Sequence, residues 1–375
     1  MKIHRFLIPF AAVLLAFAAP PAFAQEQTSL TFEPKEGPGK GKHVVLLAGD
    51  EEYRSEEALP MLAKILSQRH GFKTTVLFSV DAEGTINPKK GDSLSNPQAL
   101  DSADVIVMSL RFRHWSDDAM NRFEQAYLRG VPIIALRTST HAFNFPKDSK
   151  WAKYSYNYGG PLWPKGFGKQ VLGETWVAHH GAHKKEATRG IIEPGAKGEP
   201  LLRGVRDLFG GTDVYTANPS EDAKILVRGQ VLKGMKPDDG PTADKAKNSP
   251  MQPVVWSRVV QNEAGKLNRI LTTTMGSADD LLSEGLRRLI VNGVYWGAGI
   301  EVPWKANVTI VDEYKPSFYG FDGSRKGLKV ADLELGKAMP GEPLAAPDPD
   351  AEKKAAEAKK AAEAKKEADA KKETK

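Results

Sequence analysis

Apolar segments of strand length alternate with amphipathic segments between residues 43 and 136. Residues 43–48 and 103–110 are nearly continuous apolar runs, which is typical of strands buried on both faces of a sheet. Further strands are predicted at 73–79 and 131–136. Apolar positions at helical spacing follow Ser55 and Ser116, which we expect to cap two helices. This alternation predicts an α/β fold with a doubly wound, mostly parallel sheet and right-handed crossovers.

The second half of the chain has a looser pattern. It predicts strands at 223–227, 254–257 and 268–273 and a closing helix over 279–296. Two long segments, 144–200 and 234–253, interrupt these elements. Loops of this length are usually functional lids or disordered excursions.

Composition narrows the class of protein. With 375 residues, 41% of them hydrophobic, the chain is long enough for one large domain or two smaller ones. It contains no cysteine. This excludes disulfides, thiolate metal ligands, a cysteine nucleophile and a cysteine-linked lipid anchor.

The net charge of +6 comes mostly from the two ends of the chain. Residues 1–24 carry Lys2 and Arg5 without an acid, and residues 351–375 carry nine lysines against six acidic residues. The rest of the chain is close to neutral, whereas a nucleic-acid-binding protein needs a concentrated basic face. We therefore expect no nucleic-acid partner.

The first 24 residues have the pattern of a secretory signal peptide. A basic start precedes an apolar run over 6–19, and Ala22-Phe23-Ala24 forms an A-x-A cleavage site. The alternative is a retained membrane anchor, but the run is shorter than the ~20 residues that span a bilayer. We expect a protein without a membrane span that begins near Gln25 and is periplasmic or secreted.

Polar side chains follow three of the predicted strands where each strand ends. Ligands of open α/β sheets bind beyond the carboxyl ends of the strands, where the strand order reverses. In a flavodoxin-like order that point lies between the first and third strands. The candidates are Asp50, Glu51, Glu52, Tyr53 and Arg54 after the first strand, Arg111, Phe112, Arg113 and His114 after the third, and Arg137, Thr138, Ser139, Thr140 and His141 after the fourth.

Three further histidines lie close together at His179, His180 and His183. Neutral imidazoles are common zinc or iron ligands, so the cluster could bind a metal. Gly181 argues against a helix that would align His179 with His183, and no H-E-x-x-H pattern is present. We therefore expect a hydrogen-bonded loop with no metal and no cofactor, and metal binding is the alternative.

Other motifs also have structural alternatives. Arg111 and Arg137 either pair with Asp50 or Glu51 in a structural network or hold an anionic or polyhydroxyl ligand. Ser139 follows a buried strand, as a nucleophile would, but R-T-S-T-H lacks the glycines of a G-x-S-x-G elbow. Aromatic residues between 151 and 163 either stack on sugar rings or pack the loop onto the body: Trp151, Tyr154, Tyr156, Tyr158 and Trp163.

The order of these motifs resembles that of ThuA-like (trehalose-utilisation) proteins. The resemblance rests on VVLLAGDEEYRSEEALPMLAKIL, ADVIVMSLRFRHWSDDAM and GVPIIALRTSTHAF, and on the later segment that ends in GVYWGAGIEVP. The segment EPLLRGVRDLFGGTDVYTANP is similar to the one that precedes a D-x-Y element in the family. The resemblance covers roughly residues 43–304, which is most of the chain after the predicted signal peptide. It implies a fold similar to class I glutamine amidotransferases and a link to keto-disaccharide metabolism.

Two positions depart from the family. The amidotransferase cysteine would fall at Arg137, so glutamine hydrolysis by that route is excluded. ThuA-like proteins often have a histidine near this position and a Gly-His pair after the late strand, where this chain has Arg137 and Gly276-Ser277. If those histidines are catalytic in the family, their role is lost here or passes to His141 or to the cluster at 179–183.

Two functional interpretations remain for an exported protein with a sugar-like small-molecule ligand. As a carbohydrate-processing enzyme, it would move protons with Glu51 and with His141 or His179, while Arg111 and Arg137 hold oxygens. As a non-catalytic binding module, it would capture the ligand with the same loops. The other ligand-binding candidates are Glu52, Arg54, His114, Ser139, Thr140, His180 and His183.

The expected domain plan has five parts. A signal peptide (1–24) and a lead (25–42) precede the ThuA-like α/β domain (43–304), whose long insertion is 144–200. An extension (305–340) and a Pro-rich break with an Ala/Lys/Glu-rich tail (341–375) follow. The tail has no apolar face, so we expect a solvated, partly helical segment, with contact to the cell envelope as the alternative. The sequence does not indicate an oligomeric state.

Overall fold

The computed structural model describes residues 28–321 and 323–346. The predicted signal peptide and the Ala/Lys/Glu-rich part of the tail lie outside the described residues. The α-helices are Ser55–His70 (α1), Asp117–Leu128 (α2) and Glu284–Gly297 (α3). The strands are Ser29–Phe32 (β1), His43–Gly49 (β2), Lys73–Phe78 (β3), Val105–Leu110 (β4), Ile133–Leu136 (β5), Ala178–His179 (β6), Thr188–Ile192 (β7), Phe209–Gly210 (β8), Tyr215–Thr216 (β9), Lys224–Val231 (β10), Gln252–Gln261 (β11) and Leu267–Thr273 (β12).

Five parallel strands form the centre of a ten-stranded sheet, in the order β3-β2-β4-β5-β12. Taken by themselves in chain order, they follow the arrangement 2-1-3-4-5 of flavodoxin-like sheets. The three buried runs that predicted adjacent parallel strands are β2, β4 and β5, and that prediction is confirmed. Antiparallel strands extend both edges, β1 beside β3 and then β11, β10, β7 and β8 beyond β12.

Successive side chains of β2 alternate between two apolar cores, with Val44 and Leu46 in one and Val45 and Leu47 in the other. The first core is closed by α1, by α3 and by residues of the predicted extension between 306 and 333. The second is closed by α2, which Ser116 caps as predicted, and by apolar residues between 145 and 172. Helices therefore cover both faces of the sheet, as a doubly wound fold requires.

Several helix starts and strands differ from the sequence prediction. α1 begins at Ser55 itself, and the Ser55 hydroxyl accepts a hydrogen bond from the N–H of Asp50 at 2.9 Å. α3 begins later than predicted, because Asp280–Leu282 forms a 3₁₀ turn and Ser283 caps the helix. β7 lies in a segment that the sequence predicts as a loop. This antiparallel strand is mostly half-buried, so it lacks the continuous apolar run by which the buried strands were predicted. No helix in the described ranges is long and apolar enough to cross a membrane.

Gly168 allows the insertion to contact the turn that follows β5. A Cβ added at Gly168 would lie 2.0 Å from the carbonyl oxygen of Thr140 and 3.0 Å from that of Glu174. Because these are backbone atoms, Gly168→Ala should lower the free energy of unfolding by about 1–3 kcal/mol, measured by urea denaturation. Gly195→Ala, whose added Cβ has nothing within 4 Å, is the control and should change stability by less than about 0.5 kcal/mol. Equal stability of the two variants would contradict this account.

Candidate functional site

Asp50 ties together the segments that follow β2 and β5. One carboxylate oxygen accepts hydrogen bonds from the N–H groups of Glu52 at 2.7 Å and Tyr53 at 2.9 Å. The other oxygen accepts from the hydroxyl of Thr138, and the Asp50 side chain is fully buried. These bonds fix the turn after β2 at the point where the strand order reverses. Asp50 is therefore a structural residue of the site.

Arg137 begins a sharp 3₁₀ turn, Arg137–His141, at the end of β5. Its φ of 44° is in the left-handed region, which a side chain with a Cβ seldom adopts. In α/β enzymes a strained strand-to-helix turn of this kind exposes a nucleophile. Here the corresponding side chain is a guanidinium that is fully buried. The backbone arrangement of a nucleophile elbow is therefore present without a nucleophile.

Every N–H of the two terminal guanidinium nitrogens of Arg137 has an acceptor. Nη1 donates to the carbonyl oxygens of Asp213 at 2.6 Å and Thr274 at 2.7 Å. Nη2 donates to Asp213 Oδ1 at 2.9 Å and to the Tyr53 hydroxyl at 3.2 Å. The guanidinium also lies over the rings of Tyr53 and Tyr215, 4.7 and 3.7 Å from their centroids. The expectation that Arg137 holds a ligand oxygen, Glu51 or Glu52 is corrected, because both terminal nitrogens donate to Asp213, Thr274 and Tyr53 and the side chain is fully buried.

Asp213 lies at the centre of the candidate site. Its Oδ2 is 2.6 Å from His179 Nδ1, and its Oδ1 is 3.1 Å from His183 Nδ1. Burial alone would raise the pKa of Asp213, but Arg137 and the hydrogen bonds from both imidazoles hold that pKa well below its ordinary value. The carboxylate is fully buried, whereas 37% of the His179 side chain and 27% of the His183 side chain are exposed. A buried anion thus orients two imidazoles that reach solvent.

Glu52 contacts the same cluster from the turn after β2. Its Oε1 lies 3.3 Å from His183 Nε2, and its Oε2 lies 3.7 Å from Arg111 Nε. Burial and the neighbouring Asp50 raise the pKa of Glu52, against the opposing effects of Arg111 and His183. Glu52 is therefore a carboxyl group whose protonation is tuned by its surroundings, as acid–base residues require.

Glu51, the carboxylate expected to move protons, has a different environment. It forms ion pairs with Arg111 and, at 2.9 Å, with Arg113. Arg113 in turn donates to the carbonyl oxygen of Pro88 at 2.9 Å. Burial and the neighbouring Asp50 raise the pKa of Glu51, as they do for Glu52, against the opposing effects of Arg111 and Arg113. The two glutamates therefore differ in their partners and not in the direction of their pKa shifts. Among the two glutamates after β2, the structure places Glu52 in contact with the histidines and Glu51 in a structural ion pair.

His141 is buried among aromatic rings. Its ring centroid lies 5.1 Å from that of Phe112, 5.6 Å from that of Trp176 and 6.4 Å from that of Tyr156. Burial, together with the positive charges of Arg111 and other neighbours, holds the pKa of His141 well below its ordinary value. The imidazole is therefore neutral at physiological pH.

Three other predicted site residues have partners elsewhere. The Ser139 hydroxyl donates to the carbonyl oxygen of Met108 at 2.9 Å, so that this buried residue joins β5 to β4 and does not face a ligand. His180 Nε2 lies 2.8 Å from the carbonyl oxygen of Lys247, away from Asp213. The exposed His114 contacts the segment around Gly91. These contacts are those of structural residues.

Arg54 and Thr140 support neighbouring segments. Arg54 Nε donates to the carbonyl oxygen of Phe318 at 3.1 Å, and the Arg54 side chain is nearly fully buried. Thr140 Oγ1 lies 3.3 Å from His141 Nδ1. Thr140 therefore adjoins the site and can orient the imidazole, whereas Arg54 connects the turn after β2 to the C-terminal extension.

Most aromatic residues of the 151–163 segment pack the insertion onto the body. Trp151, Tyr154 and Trp163 are buried in the second core. Tyr156 is the member that reaches the site, with its ring centroid 5.0 Å from that of Phe112. The packing interpretation thus applies to Trp151, Tyr154 and Trp163, whereas Tyr156 lies beside the candidate site.

Asp213, which connects the parts of the site, was not among the predicted site residues. The signal was present, because Asp213-Val214-Tyr215 is a D-x-Y element and supplies both the anion on Arg137 and a ring beneath its guanidinium. Tyr319 was also missed. It lies in the predicted extension, and its ring centroid is 5.4 Å from that of His183.

No family model matches the chain, and no curated protein matches it. Among solved structures it is similar to a protein described as ThuA-like from Parabacteroides merdae ATCC 43184, with 14% identity, a TM-score of 0.46 and coverage of 76% of this chain and 96% of that one. A second ThuA-like structure, from Bacteroides uniformis ATCC 8492, has 12% identity, a TM-score of 0.41 and coverage of 71% and 94%. The chain resembles ThuA-like proteins. PurLQS from Thermotoga maritima is also similar, with 11% identity, a TM-score of 0.33 and coverage of 68% and 97%.

Removing the Arg137 charge should be strongly destabilising, because it leaves Asp213 buried without its cation. Arg137→Met is expected to lower the free energy of unfolding by about 3–5 kcal/mol, measured by urea denaturation. Arg122→Met is the control, since Arg122 pairs with the exposed Asp101 and Asp118. Its loss should cost less than about 1 kcal/mol. A stability change of that small size in Arg137→Met would show that the pair does not support the fold.

Proposed function

We propose that the chain is an exported protein that binds a sugar-like ligand beyond the carboxyl ends of β2, β4 and β5 and transfers protons on it. The observation that carries this proposal is the placement of Glu52. This carboxyl group has a raised pKa and lies between the Arg111 guanidinium and the His183 imidazole. A carboxyl whose pKa is raised towards the working pH can both accept and return a proton.

Aromatic rings beside the polar groups support a carbohydrate as the ligand. Phe112, Tyr156 and Trp176 are half-buried rings around His141. The Arg111 guanidinium lies 4.5 Å from the ring centroid of Phe112 and 4.8 Å from that of Phe321. Ligand sites combine apolar and aromatic walls with a few oriented polar groups, and a sugar presents both apolar C–H faces and hydroxyls.

The charges suit a keto-sugar in particular. Taking a proton from the carbon beside a carbonyl develops negative charge on the carbonyl oxygen, and a fixed cation stabilises that charge. In the proposed reaction Glu52 takes the proton, Arg111 stabilises the oxygen of the resulting enolate, and Glu52 returns the proton to the enolate. The sugar is thereby isomerised without a co-reactant. The neutral His141 is a hydrogen-bond partner for a sugar hydroxyl.

The proposal is tested with purified protein, trehalose, other disaccharides and their keto forms, with binding measured by calorimetry and turnover by NMR. We expect turnover of a keto-sugar. Glu52→Gln should lower kcat by about 10²–10⁴-fold while binding persists, because the amide fits the site but cannot carry the proton. Glu36→Gln, at an exposed glutamate paired with Lys40, is the matched control and should leave kcat unchanged.

Two outcomes would contradict the catalytic proposal in different ways. Saturable sugar binding without turnover would make the protein a binding module, which uses the same loops without proton transfer. If none of the sugars binds, the proposal of a carbohydrate ligand is itself overturned.

The signal-peptide pattern of residues 1–24 leads to a separate prediction, that the chain is exported and cleaved. Expressed in a bacterium with a periplasm, the chain should be recovered from the periplasmic fraction with Gln25 as its first residue, as mass spectrometry of the intact protein can establish. Ala24→Arg should block cleavage by placing a large charged residue at the A-x-A site, whereas Glu26→Gln should be processed normally. Recovery of the uncleaved chain in the cytoplasm would show that the segment is not a signal peptide.

A further inference from the structure

A tight turn aligns His179 and His183 without a helix. β6 pairs antiparallel with β9, and the N–H groups of His180 and Gly181 donate to the carbonyl oxygen of Val214 at 2.8 and 3.0 Å. A Cβ added at Gly181 would lie 3.2 Å from the Cβ of Asp213. The residue that argued against a helix thus lets the loop approach Asp213 closely, and both imidazoles face that carboxylate.

We propose that His179, His183 and Asp213 together bind one divalent transition-metal ion of the zinc type. Each residue offers a ligand atom, and these atoms all lie within 4.8 Å of one another. In a tetrahedral zinc site, ligand atoms about 2.1 Å from the metal lie roughly 3.4 Å apart. Asp213 Oδ2 lies 2.6 Å from His179 Nδ1, and Asp213 Oδ1 lies 3.1 Å from His183 Nδ1. Both separations are shorter than this spacing, whereas the limit of 4.8 Å for the whole cluster is longer. Shifts of about 1 Å in two part-exposed imidazole rings would complete the tetrahedral geometry.

The surrounding contacts are those that orient metal ligands. A metal-bound histidine usually donates its other ring N–H to a carboxylate, which fixes the tautomer and the ring orientation. His183 has this arrangement, with Nδ1 towards Asp213 and Nε2 3.3 Å from Glu52 Oε1. Arg137 holds Asp213 Oδ1 and leaves Oδ2, the oxygen nearer His179, for the ion.

The chemistry of the donor set favours zinc or a similar ion over calcium or magnesium. Two imidazoles and one carboxylate suit zinc, iron or manganese, whereas calcium and magnesium prefer oxygen ligands throughout. Three protein ligands would leave a coordination position on the solvent side, where the two imidazoles are exposed. Metal binding at this site requires no sugar, so the metal proposal can be tested independently of the proposed function.

The test is calorimetric titration of the chelator-treated, purified full chain with Zn²⁺, with Co²⁺ as a spectroscopic probe. We expect one ion per chain, visible absorption bands of low-symmetry Co²⁺, and a Zn²⁺-dependent rise in Tm. His179→Ala and His183→Ala should each weaken binding at least tenfold, and Glu52→Gln by about tenfold through the second imidazole nitrogen of His183. His43→Gln is the control, since His43 bonds to Ser102 and Thr75 at the opposite end of β2.

Circular dichroism of each variant checks that it is folded. If His183→Ala does not fold, His183→Gln, which keeps most of the side-chain volume, is used in its place. Stoichiometric Zn²⁺ binding that survives in a folded His179→Ala/His183→Ala double variant would overturn the assignment. The absence of saturable binding to the folded wild-type chain would overturn it as well and leave the cluster as a hydrogen-bonded network.

Discussion

The buried ion pair between Arg137 and Asp213 holds the candidate site together. Taking two charges out of water costs more free energy than their attraction returns unless their remaining hydrogen-bonding groups are satisfied. Here both terminal guanidinium nitrogens have all their acceptors, and two tyrosine rings enclose the cation. The pair joins the turn after β5 to a segment 76 residues later. The position of the two imidazoles therefore depends on a contact that forms only when both parts of the fold are in place.

Some charged groups around this pair are held in structural contacts, and others are free to act on a ligand in the proposed function. Glu51 is held by Arg111 and Arg113, and Asp50 is held by backbone N–H groups. The pKa of each glutamate is raised by burial and by Asp50, but it is Glu52 that contacts a part-exposed imidazole, that of His183. The two neighbouring glutamates thus share Arg111 but differ in their second partner, which is Arg113 for Glu51 and His183 for Glu52.

The long insertion has two physical roles. Its first part, between 145 and 172, packs aromatic residues into the second core and so is not a lid. Its later part carries β6 and the turn with His179 and His183, which reach Asp213 through a two-strand ladder with β9. The packing of the first part anchors the chain on the N-terminal side of the turn that carries the imidazoles.

The sequence by itself determined the parallel centre of the fold and the edge at which the site lies. Strands buried on both faces must be continuously apolar, so β2 and β4 were visible as runs, and polar residues at their ends marked the same edge. β7 was not visible, because a half-exposed antiparallel strand has no such run.

Tertiary structure alone decided which of the predicted residues act together. Nothing in the sequence indicates that Arg137 pairs with Asp213 or that Glu52 contacts His183. These contacts arise from how the later segments cross the edge of the sheet. The protonation properties of Glu52 and His141 were equally invisible. They arise from burial and from charges brought close by folding, whereas residue type alone fixes only the ordinary pKa of the free side chain.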